Sequence, residues 1–423
     1  MNFFLNQLKA EINFKIMHSA SKILDSKSDV DIIVLDANNN TLIEKIKILC
    51  SEKNYVLVSY YFGIVDNLIF NIVDLNELKS YRLDFYFEAY LSSYVSYPYA
   101  YKSIDKRFFF KDDESNININ PSTEIEFSHY LLRKNIKNNL NGIVIEKLAK
   151  LYENSNKILL KEILNTILDD NLTNKVINGD FHINRSNELE NLLIKKKHFL
   201  KLSLGKRILT FLKNFNLKRG IHVAIIGPDG TGKTTLIEGI KEFVEPIYTE
   251  FKYIHLRPTF VPATIQIKKK INSSTKTTIP KPHANKEYSY LKDLLKTFTI
   301  YIDYFIGYQF NINPYKRKNF FVCSDRYFYD MLVDPKRFRV KGLSKLTKFV
   351  FRKTLQKPDI TLLLQADAET VFERKKDLTF EEIKRQNSEY ENLIRDFKEI
   401  KVINSQELIK DVLKNSLISI FNK

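Results

Sequence analysis

The sequence has few cysteines and no long apolar segment. Its 423 residues contain two cysteines, Cys50 and Cys323, which are far apart and have no metal-type partners nearby. This usage argues against a disulfide framework and indicates two small buried residues in a reducing compartment. No run of about 18 uncharged apolar residues occurs, as a membrane span would require, and the chain does not start like a signal peptide. We therefore predict a cytoplasmic protein.

The overall composition is that of a globular protein, with 44% hydrophobic and 13% aromatic residues. The length allows two or three domains, and no internal repeat is present. Charge is distributed unevenly: residues 1–120 hold 13 Lys and Arg against 16 Asp and Glu, whereas the whole chain has a net charge of +17. The remainder is therefore strongly basic, which suits phosphorylated ligands, nucleic acid, an anionic membrane surface or simply a well-solvated face.

The hydrophobic pattern divides the chain into three segments. Residues 1–115 predict a small α/β domain, with helices at 3–20 and 41–53 and four strands in "DVDIIVL", "NYVLVSYYF", "NLIFNIV" and "YRLDFYF". Residues 116–217 have helical spacing and predict a helical connector. Within the range 191–220 there are nine Lys or Arg and no acid. Such a basic amphipathic helix indicates either a linker with one packed face or peripheral contact with an anionic membrane.

From residue 218 to 423 the pattern changes to alternating strands and helices. Five strands are predicted, in "IHVAIIG", "FKYIHL", "KNFFVCSD", "PDITLLLQA" and "KEIKVINS". Strands separated by helical stretches predict a doubly wound parallel sheet.

A glycine-rich loop follows the first of these strands and precedes a helix. "GPDGTGKT" (227–234) matches G-x-x-x-x-G-K-[ST] at every fixed position. Glycines allow backbone N–H groups to surround phosphate oxygens, and the helix N-terminus adds its dipole. Lys233 would reach the β- and γ-phosphates of ATP, and Thr234 would ligate Mg²⁺. The spacing therefore predicts a phosphate-binding loop.

A second motif, "DRYFYD" (325–330), stands at the end of the predicted strand "KNFFVCSD". The carboxyl ends of parallel strands border the ligand crevice. There Asp325 could hold the Mg²⁺ shell or orient an acceptor, and Arg326 could bind an acceptor phosphate. Lys336, Arg337 and Arg339 follow closely and add positive charge. A surface ion pair is the alternative interpretation of this motif.

Taken together, these motifs resemble the thymidylate kinase family of nucleoside monophosphate kinases. The resemblance is carried, over roughly residues 220–423, by "GPDGTGKTT", "SDRY", "KPDITLLLQADAETVFERKK" and "VINSQELIKDV". It implies an ATP-binding loop formed by Gly227, Asp229, Gly230, Thr231, Gly232, Lys233, Thr234 and Thr235. It implies acceptor contacts by Arg257 of "HLRP", Arg326 and Tyr327. It also implies a lid with cations in or near it at Arg374, Lys375, Lys376 and Arg385. Catalysis is accordingly assigned to Lys233, Asp325, Arg326, Arg374 and Arg385.

The sequence departs from the family pattern in two places. The strand end before the lid reads Gln365-Ala366 where the family has an acid, and a long basic segment spans 259–290. Acceptor specificity would be built in that segment; we assign no role to its His283. The pattern is closer to the thymidylate-kinase-like proteins encoded with bacterial surface-polysaccharide genes than to the housekeeping enzyme.

Three aspartates lie within predicted strands of the first segment. Asp29 and Asp31 share one strand face, and Asp84 lies in a later strand. Three such carboxylates resemble the two-metal site of the nucleotidyltransferase fold, where they would bind Mg²⁺. The glycine pair that precedes the aspartates in that family is missing here, and Ser19 or Ser28 would have to replace it. One alternative is therefore a domain that only binds substrate or supports assembly. Another is that Asp29 and Asp31 simply lie on a solvent-exposed strand face.

The leading hypothesis is an ATP- and Mg²⁺-dependent phosphotransferase acting on a small anionic acceptor such as a nucleoside monophosphate or sugar phosphate. A second activity, nucleotidyl transfer in glycan-precursor synthesis, would make it bifunctional. The alternatives are a nucleotide-dependent regulatory switch and a nucleic-acid end-processing kinase; nucleic acid is the less favoured partner, and an oligomer is compatible with the sequence.

Overall fold

The chain divides into two compact units, residues 1–217 and 218–423. The computed structural model describes residues 2–17, 29–52, 55–91, 99–110, 119–215, 217, 220–259, 290–338, 340, 345–376 and 378–422. Within this part of the chain, every helix is too short or too polar to cross a membrane. Both cysteines are buried and unbonded to each other, as their sparse use predicts.

The first unit begins with a mixed five-stranded sheet in the order β1-β2-β5-β4-β3. Only β2 and β5 run parallel; the other neighbouring strands are antiparallel. Phe70 and Phe85 meet edge-to-face at the centre of its core. The strands and the two helices of this region are β1 (Phe14–Ile16), β2 (Val30–Val34), β3 (Tyr55–Phe62), β4 (Asn67–Asp74), β5 (Lys79–Tyr86), α1 (Asn2–Glu11) and α2 (Asn39–Glu52).

The first helix is shorter than the sequence indicates. The hydrophobic spacing predicts one helix over residues 3–20, but α1 ends at Glu11 and Phe14–Ile16 forms the edge strand β1. Its three residues are buried and pair with Ile32–Val34. Tertiary pairing with a buried strand outweighs a helical hydrophobic spacing that continues past Ile12.

Helices make up most of the remainder of the first unit and enclose a second apolar core, to which Ile33 of β2 and Tyr86 of β5 also contribute. Asn141, Asn156 and Asp169 cap three of them through side-chain hydrogen bonds to backbone N–H groups. The elements are β6 (Tyr99–Tyr101), α3 (Thr123–Ile136), α4 (Gly142–Glu153), α5 (Lys157–Asn165), α6 (Asp170–Ile177), α7 (Glu188–Lys195), β7 (Phe199–Lys201) and α8 (Leu204–Phe215), with 3₁₀ helices at Lys106–Phe110 and Arg185–Asn187.

The basic stretch near the end of this unit is not one helix. The helical pattern predicted through residue 215 is divided into α7, the short strand β7 and α8. Lys197 has a positive φ of 56°, which ends α7, and Phe199 then pairs with Tyr101 of β6. Where the helix is interrupted, pairing of β7 with β6 provides hydrogen-bond partners for backbone groups that a continuous helix would have paired internally.

The second unit is a five-stranded sheet in the order β12-β11-β8-β10-β9, and every pair of neighbours is parallel. All five strands coincide closely with the predicted ones, which confirms the parallel α/β fold of this half. The strands are β8 (Ile221–Ile226), β9 (Glu250–His255), β10 (Phe320–Asp325), β11 (Ile360–Gln365) and β12 (Ile400–Asn404).

Helices cover both faces of this sheet. Ala224, Ile226 and Val322 pack into one apolar core with Tyr304 and Phe328, whereas Phe321, whose side chain points the opposite way, meets Tyr248 edge-to-face. The helices are α9 (Lys233–Val244), α10 (Tyr290–Asn311), α11 (Asn313–Arg317), α12 (Phe328–Val333), α13 (Lys345–Thr354), α14 (Ala368–Arg374), α15 (Phe380–Asp396) and α16 (Ile409–Phe421), with a 3₁₀ helix at Pro335–Phe338. Because β8 lies between β10 and β11, the crevice at its carboxyl end is the expected ligand site.

Candidate functional site

The glycine loop lies directly at the carboxyl end of β8. Gly227, Gly230 and Gly232 have φ values of 137°, 90° and 84°, which residues with a Cβ rarely adopt. A Cβ on Gly227 would also lie 2.5 Å from the carbonyl oxygen of Leu364 in β11. Thr231 is buried, and its hydroxyl donates to the Pro228 carbonyl at 2.9 Å. The loop is therefore held in one compact shape against the sheet.

Lys233, the first residue of α9, is folded into this loop and buried. Its ammonium donates to the carbonyls of Gly227 at 3.0 Å and Pro228 at 2.5 Å. Burial and the neighbouring Arg326 charge lower the pKa of Lys233 to about 7, although nearby aspartates oppose the shift. Thr234 and Thr235, the next two residues, are exposed at the start of the helix.

Asp229, the acid inside the loop, is contacted by three cationic side chains. Its Oδ1 accepts from Arg326 and lies 3.7 Å from Lys233 Nζ, and its Oδ2 accepts from Arg337 Nη2 at 2.6 Å. Burial alone would raise the pKa of Asp229, but these positive charges outweigh it and hold the pKa well below the usual range. The loop is thus joined by ion pairs to Arg326 and to the 3₁₀ helix after α12.

Arg326 has a left-handed backbone conformation, and its guanidinium is paired with the glycine loop and with Asp330. Its φ is 73°, and its buried guanidinium donates to the Gly227 carbonyl at 3.2 Å and to Asp330 Oδ1 at 2.9 Å, in addition to Asp229. The sequence predicts that this side chain binds an acceptor phosphate. In the structure the side chain contacts the glycine loop, and its binding of an acceptor phosphate stays a prediction.

Asp330 is a site residue that the sequence reasoning missed. It is fully buried on α12 and accepts from Arg326, from the Tyr390 hydroxyl at 2.6 Å and from the Tyr327 backbone N–H at 3.1 Å. The available signal was its position four residues after Arg326, the spacing of helical ion pairs, at the end of the same "DRYFYD" motif.

Asp325 ends β10 beside the edge strand β9. Its Oδ2 accepts from the Tyr253 hydroxyl at 2.7 Å and is 3.3 Å from His255 Nδ1. Burial would raise the pKa of Asp325, but these hydrogen bonds and the Lys233 and Arg326 charges lower it. Tyr253 and His255 were also missed; they occupy alternate positions of "FKYIHL", so both side chains lie on the face of β9 that Asp325 shares.

The other predicted acceptor residues lie in two different environments. Arg257 follows β9 and pairs with Asp303 of α10 at 3.2 Å. Tyr327 is fully buried in the core, and its hydroxyl donates to the Gln356 carbonyl at 2.8 Å. We therefore assign no acceptor contact to Tyr327. The predicted specificity segment, including His283, lies almost wholly in residues 260–289, which are outside the described residues. Arg339 is also outside them.

The predicted lid cations lie on exposed surfaces near the same end of the sheet. Arg374, at the end of α14, donates to the Ser405 carbonyl at 3.1 Å, and Lys375 and Lys376 follow it on the surface. Arg385 on α15 pairs with Glu382 and donates to the Val333 carbonyl at 3.3 Å. None of these three contacts involves the glycine loop.

The strand aspartates of the first unit are neighbours in the sheet. Asp31 of β2 and Asp84 of β5 are partners in parallel register, and Asp29 immediately precedes β2. Two arginines contact them: Arg82 donates to both carboxylate oxygens of Asp84 at 2.8 and 3.1 Å and lies 3.9 Å from Asp29, and Arg133 donates to Asp31 at 2.9 Å. Burial raises the pKa of Asp84 to about 7, and Arg82 opposes the shift.

The two predicted Mg²⁺ sites differ in how well they suit the ion. Among the described residues, no three His, Cys, Asp or Glu side chains are grouped so as to hold a metal, and guanidinium groups already contact all three aspartates of the first unit. That cluster does not fit a metal ion. At the glycine loop, by contrast, no described donor reaches the buried Asp325 Oδ1. Since Mg²⁺ keeps mainly water and phosphate ligands, Asp325 and the exposed Thr234 hydroxyl fit it.

A distant comparison comes from the solved structures. No protein-family model and no curated protein matches this sequence. Among the solved structures that match is thymidylate kinase from Ehrlichia chaffeensis, with 14% identity and a TM-score of 0.33. The match covers 48% of this chain and 98% of that one. The similarity is weak and adds nothing to the geometry of the site.

Proposed function

We propose that the second unit is an ATP- and Mg²⁺-dependent phosphotransferase of the nucleoside monophosphate kinase type. The observation that carries this proposal is the glycine loop, with three residues at positive φ and the Lys233 ammonium drawn inside it. Backbone N–H groups of such a loop and of the start of α9 bind phosphate oxygens. A phosphate oxygen would replace the loop's own carbonyls as the acceptor for Lys233, because charged acceptors form stronger hydrogen bonds.

The remaining residues of the crevice divide between positioning and charge neutralisation. Arg326, Asp330 and Arg337 hold Asp229 and hence the loop in place. Mg²⁺ would neutralise phosphate charge, with Thr234 and Asp325 as its protein ligands. Arg374 and Arg385 would reach the transferring group only after moving from their present carbonyl partners. Such positioning and charge stabilisation are what phosphoryl transfer requires of a protein.

The acceptor that we propose is a small anionic molecule, either a nucleoside monophosphate or a sugar phosphate of glycan-precursor synthesis. Support comes from the net charge of +17 and from Arg257 beside the crevice. The resemblance to thymidylate-kinase-like proteins of surface-polysaccharide genes favours the sugar phosphate. A cytoplasmic location agrees with the unpaired buried cysteines.

The test measures ATP turnover by the full-length protein with Mg²⁺, alone and with a panel of nucleoside monophosphates and sugar phosphates. We expect one class of acceptor to stimulate turnover and to appear phosphorylated. Lys233→Met should abolish transfer, whereas Lys241→Met, on the exposed side of the same helix, should not. Turnover that no acceptor changes would indicate a nucleotide-dependent switch, and phosphorylation of oligonucleotide ends would indicate a nucleic-acid kinase.

Nucleotidyl transfer by the first unit is a second candidate activity. The register pairing of Asp31 with Asp84 favours it. The ion pairs to Arg82 and Arg133 oppose it, because a metal ion could bind these carboxylates only after the ion pairs opened. Full-length protein would be incubated with nucleoside triphosphates and sugar phosphates and assayed for pyrophosphate. Release that disappears in Asp29→Asn with Asp31→Asn, while ATP-dependent phosphorylation persists, would establish the activity; no release would leave the unit a binding or assembly domain.

A further inference from the structure

Helix α8 exposes its apolar face. Six large apolar side chains on this 12-residue helix are between 50% and 73% exposed: Leu204, Ile208, Leu209, Phe211, Leu212 and Phe215. Five of them fall at spacings of three and four residues and form one continuous stripe. A surface helix of a water-soluble domain ordinarily buries such a stripe and exposes its polar residues.

The polar side of α8 faces the rest of the first unit. Asn214 is buried, accepts from the Phe62 backbone N–H at 2.9 Å and donates to the Phe62 carbonyl at 2.8 Å. Lys206 pairs with Asp66 at 2.5 Å, and Lys213 lies 5.5 Å from the centre of the Phe62 ring. These contacts attach the helix to the end of β3 by its polar residues and leave the apolar stripe outward.

Basic residues accompany the stripe along the chain. Exposed basic side chains lie on α8 itself at Arg207 and Lys213 and precede the helix in sequence at Lys195, Lys196, Lys197 and Lys201. Residues 191–217 include no acid. An outward apolar stripe bordered by cations is the pattern of a helix that lies in the interface of an anionic bilayer.

We propose that α8 binds the surface of an anionic lipid bilayer, with its apolar stripe in the headgroup and acyl boundary and its basic residues on the lipid phosphates. A second copy of the chain is a poorer occupant. A symmetric contact through this stripe would place the same basic residues against each other, which is electrostatically unfavourable. The bilayer supplies both apolar depth and opposite charge.

The experiment is flotation of full-length protein with vesicles of phosphatidylcholine containing phosphatidylglycerol, compared with phosphatidylcholine alone. We expect binding to the anionic vesicles that weakens as salt is raised from about 0.1 M to about 1 M, since the Debye length falls from about 10 Å to about 3 Å. Ile208→Asp with Phe211→Asp should lower the partition coefficient at least about tenfold. Thermal unfolding should confirm that the exposed substitutions leave the fold intact.

A matched control uses exposed isoleucines elsewhere in the same unit. Ile143→Asp with Ile158→Asp alters residues that are 80% and 84% exposed on α4 and α5, and should leave vesicle binding unchanged. No binding to anionic vesicles would overturn the proposal. So would self-association that Ile208→Asp with Phe211→Asp abolishes in the absence of vesicle binding, because it would identify a second copy as the occupant.

Discussion

At the scale of single residues, the site depends on charges removed from water. Arg326 and Asp330 are both almost fully buried and pair at 2.9 Å, and each has further partners in the loop or on Tyr390. Removing one partner of such a pair leaves the other charge without compensation, which is costly in a poorly solvated site. The network therefore links the stability of the unit to the shape of the glycine loop.

Asp330→Asn tests this link, because it removes the charge while nearly preserving the shape. We expect a loss of about 3 kcal/mol in the free energy of unfolding, together with weaker ATP binding. Urea denaturation, following the transition that ATP stabilises, measures the first effect. Asp411→Asn, at an exposed position of α16, is the control. An Asp330→Asn protein with unchanged stability and ATP affinity would show that Arg326 does not depend on this carboxylate.

The lowered pKa of Lys233 predicts a proton linkage. Its pKa is 10.5 in an unfolded chain and about 7 in the fold. Between these values the unfolded state binds the extra proton, so the free energy of unfolding rises with pH. A bound phosphate favours the charged ammonium, so ATP binding should take up a proton in the same window and weaken by at most about tenfold per pH unit.

Calorimetric titrations with ATP at about pH 8.5, in buffers of different ionisation enthalpy, measure this proton uptake. The uptake should vanish in Lys233→Met. Equal heats in all buffers for the wild-type protein would mean that Lys233 is already charged in the free site.

At the scale of elements, the loop between β8 and α9 has little conformational freedom. Gly227 combines a φ of 137° with a close approach to the Leu364 carbonyl, so β11 leaves no room for a side chain. At Gly142, the first residue of α4, an added Cβ would meet no described atom within 4 Å, and the φ is not positive. The two glycines therefore have opposite sensitivities to the same substitution.

Gly227→Ala should destabilise the second unit by more than about 2 kcal/mol and abolish ATP binding. Gly142→Ala should leave ATP binding intact and keep or raise stability by up to about 1 kcal/mol. Thermal unfolding with and without ATP measures both effects. Normal nucleotide affinity in Gly227→Ala would contradict the proposed phosphate cradle.

At the scale of the whole molecule, the chain is two units with separate cores. Residues 1–217 and 218–423 each have their own sheet, and the proposed ATP site lies wholly in the second. A ligand stabilises only the structure that binds it, by about 2.7 kcal/mol at a hundredfold excess over Kd. Scanning calorimetry should therefore show two transitions, of which a non-hydrolysable ATP analogue raises one. A uniform shift of both transitions would contradict independent units.

The sequence by itself determined what depends on local spacing. Short apolar runs separated by helical stretches predicted the five strands of the second sheet. G-x-x-x-x-G-K-[ST] between a strand and a helix located the loop. Both signals act within a few residues. It also selected Asp31 and Asp84 as strand residues, which register then made neighbours.

Only the tertiary structure decided which side chains face one another across the chain. It placed Tyr327 in the core, brought Arg326 and Arg337 to Asp229, and set Arg133 on Asp31 of the first unit. It also turned the polar side of α8 inward. The partners in these contacts are between 29 and 152 residues apart in sequence. Their approach is governed by packing and by the neutralisation of buried charge rather than by any local pattern.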